Sequence, residues 1–204
     1  MIKTIIFDLG NVVLTNDWHD GKQEKFEEYS DFFDITYDDM ERGWDAAWPQ
    51  FSIGKMTEDE FWKIFLSTAG AKSIDIEKAK ELWKKYQQPL DDMLNLLSKL
   101  KKNNYQLGAL TTISKEWLDF KKEKFGLGNY FEAIVSSGYF GKGKPDKKVY
   151  QAILSKLDAK PESSAFIDDT PELLTPAIDL GMQAIQFKDH KQLVDELSNL
   201  GITI

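Results

Sequence analysis

Asp8 closes a short apolar run, Ile2-Lys3-Thr4-Ile5-Ile6-Phe7, and is followed by the turn signal Leu9-Gly10-Asn11. Asp168 and Asp169 close a second run, Ser164-Ala165-Phe166-Ile167, and Thr111 and Thr112 close a third that starts at Tyr105. Lys144 lies in the loop Gly141-Lys142-Gly143-Lys144-Pro145, ahead of a helical pattern. The set offers a carboxylate at a turn, hydroxyl donors, an ammonium and a carboxylate pair. Each alone has an ordinary explanation: a turn-stabilising Asp, a strand-ending Thr, a helix N-cap, one lysine in a lysine-rich chain. Together they say more. Two adjacent carboxylates near a third repel one another and raise a pKa unless positive charge intervenes. Mg²⁺ suits such a place, because it takes a few carboxylates and completes its shell with phosphate oxygens and water.

These residues need a scaffold that gathers strand ends. Ile2 to Phe7, Tyr105 to Leu110, Phe131 to Val135, Ser164 to Ile167 and Met182 to Phe187 read as strands: short, apolar and without helical period. Between and after them lie helical patterns. Met93, Leu96, Leu97 and Leu100 share one face; Trp117 to Phe125 has Ser114 as N-cap and Gly126 as stop; Asp146 to Leu157, Pro171 to Leu180 and the Leu193–Leu197–Leu200 stripe follow. The β-α alternation predicts an α/β fold, a parallel sheet with helices on both faces. In an open sheet of this kind ligands bind beyond the carboxyl ends of the strands, where Asp8, Thr111, Asp168 and Asp169 stand.

Residues 15–89 break the alternation. They hold 14 of the 26 aromatics and five of the six tryptophans, and they read as helical. Thr57-Glu58-Asp59-Glu60 is a capping box, and Ile76 to Tyr86 is a second periodic segment that Pro89 ends. The division expected is a core of residues 1–14 and 90–204 with an inserted all-helical cap of residues 15–89. Trp18, Trp44, Trp48, Phe51 and Trp62 are candidates to line a cleft beneath the cap, although aromatics at helical spacing more often fill a core. His19 and His190 read as surface residues. Two chain crossings, near Leu14 to Asp17 and Gln87 to Leu90, lead one to expect a hinge.

Composition excludes several functions. The 204 residues carry 26 Lys and Arg against 34 Asp and Glu, a formal charge of −8 that disfavours nucleic acid. No cysteine means no disulfide, thiolate metal site or thiol nucleophile, and two histidines leave no His-rich metal site. No run approaches the roughly 18 apolar residues of a membrane span, and Met1 to Asp8 does not read as a signal peptide. The expectation is a cytoplasmic protein that partners neither nucleic acid nor membrane.

Phe7-Asp8-Leu9-Gly10-Asn11-Val12-Val13, Leu110-Thr111-Thr112, Lys144-Pro145-Asp146 with Tyr150, and Phe166-Ile167-Asp168-Asp169-Thr170-Pro171-Glu172 resemble the four ordered motifs of the haloacid dehalogenase (HAD) superfamily. Gly54 to Trp62 and Leu180-Gly181-Met182 resemble its capped members, and the first motif is most similar to the branch holding α-D-glucose-1-phosphate phosphatase. The resemblance implies a Rossmann-like core with a helical cap after the first strand. It implies Asp8 as nucleophile, Thr111 with Thr112 and Lys144 on the phosphoryl group, and Lys144 neutralising charge. It implies Mg²⁺ held by Asp8, the Gly10 carbonyl, Asp168 and Asp169. The activity implied is hydrolysis of a small phosphorylated metabolite, a sugar phosphate, through an aspartyl-phosphate. Two positions depart from the superfamily pattern. Gly10 stands where most of its phosphatases have a second Asp as general acid, and Thr112 where an Asn is usual. A catalytically weak binding protein and a metal-independent 2-haloacid dehalogenase are the alternatives.

Overall fold

The computed structural model describes residues 1–15 and 23–204, and their side chains except those of 23–25; the expectations for Asp17, Trp18 and His19 lie outside this set. The elements run β1 (Thr4–Phe7), α1 (Gln23–Phe33), α2 (Tyr37–Phe51), α3 (Glu58–Ala69), α4 (Ile76–Lys85), α5 (Met93–Lys102), β2 (Gln106–Thr111), α6 (Lys115–Phe125), β3 (Ala133–Ser136), α7 (Ser137–Phe140), α8 (Lys147–Lys156), β4 (Ser164–Asp168), α9 (Thr175–Asp179), β5 (Gln183–Gln186) and α10 (His190–Asn199).

The five strands form one parallel sheet in the order β3-β2-β1-β4-β5. The strands alternate cleanly between two cores, as the period of two demands. Ile5, Phe7, Leu107, Ala109, Ala165 and Ile167 face one. Ile6, Leu110 and Phe166 face the other, against Val149, Tyr150 and Ile153 of α8. Strand β1 pairs with β2 on one side and β4 on the other, so the chain reverses its direction of winding there. That switch point opens a crevice at the carboxyl edge.

Local chemistry sets the helix ends. The Thr57–Glu60 capping box forms as the sequence predicts, and Thr36–Asp39 makes a second one at the start of α2. Ser114 caps α6, and Gly126, left-handed at φ 61°, stops it. Helix α7 is absent from the sequence reading; four residues are too few to show a period.

The helices between β1 and α5 join the rest of the molecule through more than their chain crossings. The crossings are hydrogen-bonded to each other: Thr15 N donates to Gln88 O at 2.8 Å and Leu90 N to Val13 O at 3.0 Å. Trp117 of α6 sits among Trp44, Trp48, Phe51, Phe61, Trp62 and Trp83, its ring centroid 4.2 to 6.1 Å from theirs. Ser137 Oγ donates to Ser52 O at 2.6 Å. Gly54 and Gly138 pack backbone to backbone, for a Cβ at Gly54 would lie 2.3 Å from Gly138 O. The expectation of an easily moving hinge is therefore corrected. Opening it would expose an aromatic core shared by both parts, not just flex two linkers. Phe51 and Trp62 are fully buried in that core and line no cleft.

Candidate active site

Register delivers the acids to one place. Phe7 pairs with Ile167, so Asp8 and Asp168 are the next residues of adjacent strands, and Asp8 N donates to Ile167 O at 2.8 Å. One carboxylate oxygen each from Asp8, Asp168 and Asp169 lies within 4.8 Å of the others. Asp168 is anchored by Thr170 N, which donates to its Oδ1 at 3.0 Å. That local turn is how a short acidic side chain fixes the backbone two residues on. Asn11, held left-handed at φ 55° after the β1 turn, donates from Nδ2 to Asp169 Oδ2 at 3.2 Å.

Lys144 enters from the loop before α8. Its side chain is 2% exposed, and its Nζ lies 3.0 Å from Asp8 Oδ1 and 2.5 Å from Asp168 Oδ2. The contact to Asp168 is a hydrogen bond; the one to Asp8 is an ion pair too poorly aligned to be one, which leaves Asp8 Oδ1 buried without a hydrogen bond. Burial pulls the Lys144 pKa down, but the two carboxylates outweigh it and hold the ammonium above its ordinary value. Burial, and then the negative charge of Asp8, push the Asp168 carboxyl up to about 7 against the pull of Lys144. Burial raises Asp8 in the same way. Three carboxylates facing one ammonium leave a formal charge of −2, and the neighbouring negative charge adds to burial in raising Asp168 and, less, Asp8. A divalent cation would cancel the formal charge. The donor set, one carboxylate oxygen each from Asp8, Asp168 and Asp169 close together and all hard, fits Mg²⁺.

A cavity of about 260 Å³ lies over this cluster. Asp8, Gly10, Lys144 and Asp169 form part of its wall, Thr111 and Thr112 another, and Trp44 and Trp48 of α2 close it from the helical side. Thr112 Oγ1 is buried there without a hydrogen bond. Every proposed site residue except Asp168 thus lines the cavity, and Asp168 lies directly behind, fully buried on Lys144. The Asp168-Asp169 pair is not an N-cap: Thr170 occupies that position ahead of a short turn of 3₁₀ helix at Pro171–Leu173. His190 is half-buried at the start of α10, facing a separate cavity, rather than simply exposed.

Three lining residues, Ile113, Leu173 and Lys121, lay outside the sequence expectations, and one of them is charged. Lys121 of α6 is 1% exposed and faces the same cavity. The signal available was its position four residues after Trp117, on the buried face of the helix.

A parallel sheet with carboxylates at its central strand ends, met by a lysine from the loop before α8, defines an α/β enzyme whose chemistry lies at the carboxyl edge. A family model for haloacid dehalogenase-like hydrolases matches residues 2–181, and the chain belongs to that family of hydrolases. Flavin mononucleotide hydrolase 1 of Arabidopsis thaliana is 30% identical over 158 residues, which are 78% of this chain and 63% of that protein, so the chain spans less than two thirds of this relative. A sesquiterpene phosphatase of Aspergillus oryzae is 25% identical over 154 residues, 76% of this chain and 79% of that one. A HAD family enzyme of Bacteroides thetaiotaomicron, crystallised with magnesium and inorganic phosphate, superposes with a TM-score of 0.79 at 21% identity, covering 95% of this chain and 99% of that one. The structural likeness speaks for the fold. Among the described residues no helix is long and apolar enough to cross a membrane.

Proposed function

We propose that the protein is a Mg²⁺-dependent phosphatase that hydrolyses a small phosphomonoester, a sugar phosphate, through an aspartyl-phosphate on Asp8. The observation that carries this reading is the cluster of Asp8, Asp168 and Asp169 around Lys144, with its formal charge of −2, beneath a cavity that Thr111 and Thr112 also line.

Asp8 attacks phosphorus as the P–O bond to the leaving alcohol breaks, and water then cleaves the aspartyl-phosphate to release inorganic phosphate and free Asp8; burial keeps the nucleophile poorly hydrated. Lys144 offsets the charge shared by Asp8 and the phosphoryl oxygens, and Asp168 holds Lys144 in place. Thr111 and Thr112 donate to the phosphoryl group from the end of β2. Asp8, the Gly10 carbonyl, Asp168 and Asp169 would hold the metal, which when bound would supply charge neutralisation to the phosphoryl oxygens. Residues 15–89 act as a cap whose α2 indoles shape the leaving-group end of the cavity. The dehalogenase alternative needs cationic help for carboxylate and halide. The sole arginine, Arg42, is instead on the surface of α2, paired with Asp39 at 2.6 Å.

The test is hydrolysis of p-nitrophenyl phosphate, a sugar-phosphate panel and 2-chloropropionate, each with Mg²⁺ or EDTA. Phosphate release that EDTA abolishes is the expected result. Metal-independent halide release would replace this reading with the dehalogenase.

A further inference from the structure

We infer that Asn11 is a positioning residue of the metal site: its neutral side-chain amide orients the Asp169 carboxylate, and so sets the affinity for the divalent cation rather than the fit of the ester. The inference rests on the phosphatase reading and deepens it.

Backbone demands alone do not explain an asparagine at this turn. Asn11 has φ 55°, a left-handed conformation that glycine adopts freely and that residues with side chains adopt at a cost. Glycine would serve the turn; what asparagine adds is an amide. That amide reaches from the turn after β1 to the residue after β4, 158 positions away in sequence, where Nδ2 donates to Asp169 Oδ2 at 3.2 Å. The turn itself is fixed, for Val13 N and Leu14 N both donate to Leu9 O, at 3.0 and 2.8 Å.

Asp169 is the acid of the cluster that Lys144 does not hold, since that ammonium engages Asp8 and Asp168. Its Oδ1 accepts from Thr170 Oγ1, the hydroxyl of the next residue, at 3.3 Å. Asn11 adds the bond that ties the carboxylate to a different strand end. A carboxylate oxygen accepts more than one partner, so Oδ2 can meet a cation while it keeps the amide. The amide also carries no charge. It orients Asp169 without offsetting the formal charge of −2 that attracts the cation, as a lysine in its place would. Hydrogen bonds that orient a metal-binding side chain are worth about 10–100-fold in metal affinity.

The cavities separate this role from substrate binding. Asp169 borders two of them: the one of about 260 Å³ over Asp8, and a neighbour of about 440 Å³ that reaches Asp91 and His190. Asn11 lines the second and not the first. It meets Asp169 from outside the cavity assigned to the ester, so its loss leaves the walls of that cavity in place.

The experiment is calorimetric titration of Mg²⁺ alone into metal-free wild type, Asn11→Gly and Asn11→Ala, with thermal unfolding of each protein without metal. Both variants lack the amide; glycine suits the left-handed backbone and alanine strains it. The Kd for Mg²⁺ should rise about tenfold or more in both, while only Asn11→Ala loses stability. At saturating Mg²⁺, Asn11→Gly should regain the wild-type KM for p-nitrophenyl phosphate and most of kcat. Wild-type affinity for Mg²⁺ in Asn11→Gly would overturn this inference alone, because the backbone would then be all that the position supplies. A KM that excess Mg²⁺ does not restore would overturn it too, by placing Asn11 on the ester. A wild type that binds no Mg²⁺ would overturn the metal-dependent phosphatase reading as well.

Discussion

Trp117 Nε1 donates to Glu58 Oε1 at 2.8 Å, and the same carboxylate oxygen accepts from Trp62 Nε1 at 3.3 Å. One acid in the first turn of α3 thus ties α6, a helix that follows a central strand, into the helical segment inserted after β1. Around this bond lie the six aromatic rings that surround Trp117. A buried Trp without a partner for its N–H would be costly; Glu58 removes that cost for two of them at once.

The first prediction concerns cooperativity. The helical segment and the sheet should unfold in one transition, because they share a core. Trp117→Ala should cost about 3–5 kcal/mol, the range for deleting a large buried aromatic. Trp117→Phe should cost less, keeping most of the ring volume and losing the bond to Glu58. Urea unfolding followed by both circular dichroism and tryptophan fluorescence checks this. Two separated transitions in the wild type would show that the segment folds on its own.

The second concerns pH and metal. Between the ordinary Asp value and about 7, Asp168 is protonated in the native protein and ionised in the unfolded chain. The native state then binds the extra proton, so this group's contribution to metal-free stability falls as pH rises through that window. This is the reverse of a carboxylate whose native pKa is depressed. Mg²⁺ must displace the proton, so its affinity should rise by up to about tenfold per pH unit below 7 and level off above it. Calorimetric titration at several pH values, in buffers of different ionisation enthalpy, measures both affinity and proton release. Affinity independent of pH between 5 and 7 would contradict the raised carboxyl.

Much of this site was legible from strand ends. A parallel sheet places its chemistry where strands stop, so Asp8, Thr111 and Asp168 could be read as neighbours although about 160 residues separate the first from the last. The same logic reaches Asp169 and Thr112, one residue further on. Lys121 was hidden because it sits in a run with Lys122 and Lys124, and such a stretch ordinarily reads as a solvated face. Phe51 and Trp62 were plausible cleft residues for want of any sequence signal that separates core aromatics from lining ones; Trp44 and Trp48, on the same helix as Phe51, do reach the cavity. The hinge expectation counted covalent crossings, whereas the packing of Trp117 depends on three-dimensional neighbours that no local pattern contains.

The third prediction concerns Gly10. A Cβ built there meets nothing within 4 Å, and the residue lines the cavity, so a side chain at this position has room. With glycine in place of an acid, no side chain at that position protonates the leaving oxygen. Aryl, acyl and anomeric phosphates should therefore turn over faster than alkyl esters such as a sugar 6-phosphate. Gly10→Asp should narrow the gap, within the roughly 10²–10⁴-fold that general acid catalysis contributes. The measurement is kcat for a hexose 1-phosphate against a hexose 6-phosphate in both proteins. Equal wild-type turnover would mean another group supplies the proton.

The fourth concerns Lys144. Replacing it by Met removes the only cation bonded to Asp168 among the described residues and leaves two buried carboxylates opposed. Breaking a buried pair in this way costs about 3–5 kcal/mol. Stability of Lys144→Met should therefore drop, and drop further as pH rises, since protonation is then the chief relief for the acids. Thermal unfolding at pH 5 and pH 8 without metal tests it. A variant as stable as wild type at pH 8 would show that the pair does not need its lysine.

The central claim is that Asp8 carries the phosphoryl group. Its most direct test is to quench the enzyme in acid during turnover of a phosphate ester with Mg²⁺, digest it, and locate the phosphorylated peptide by mass spectrometry. The account predicts an acyl-phosphate on Asp8 that alkali removes, absent in Asp8→Asn together with turnover. Sustained turnover by Asp8→Asn, or label on any residue other than Asp8, would contradict it.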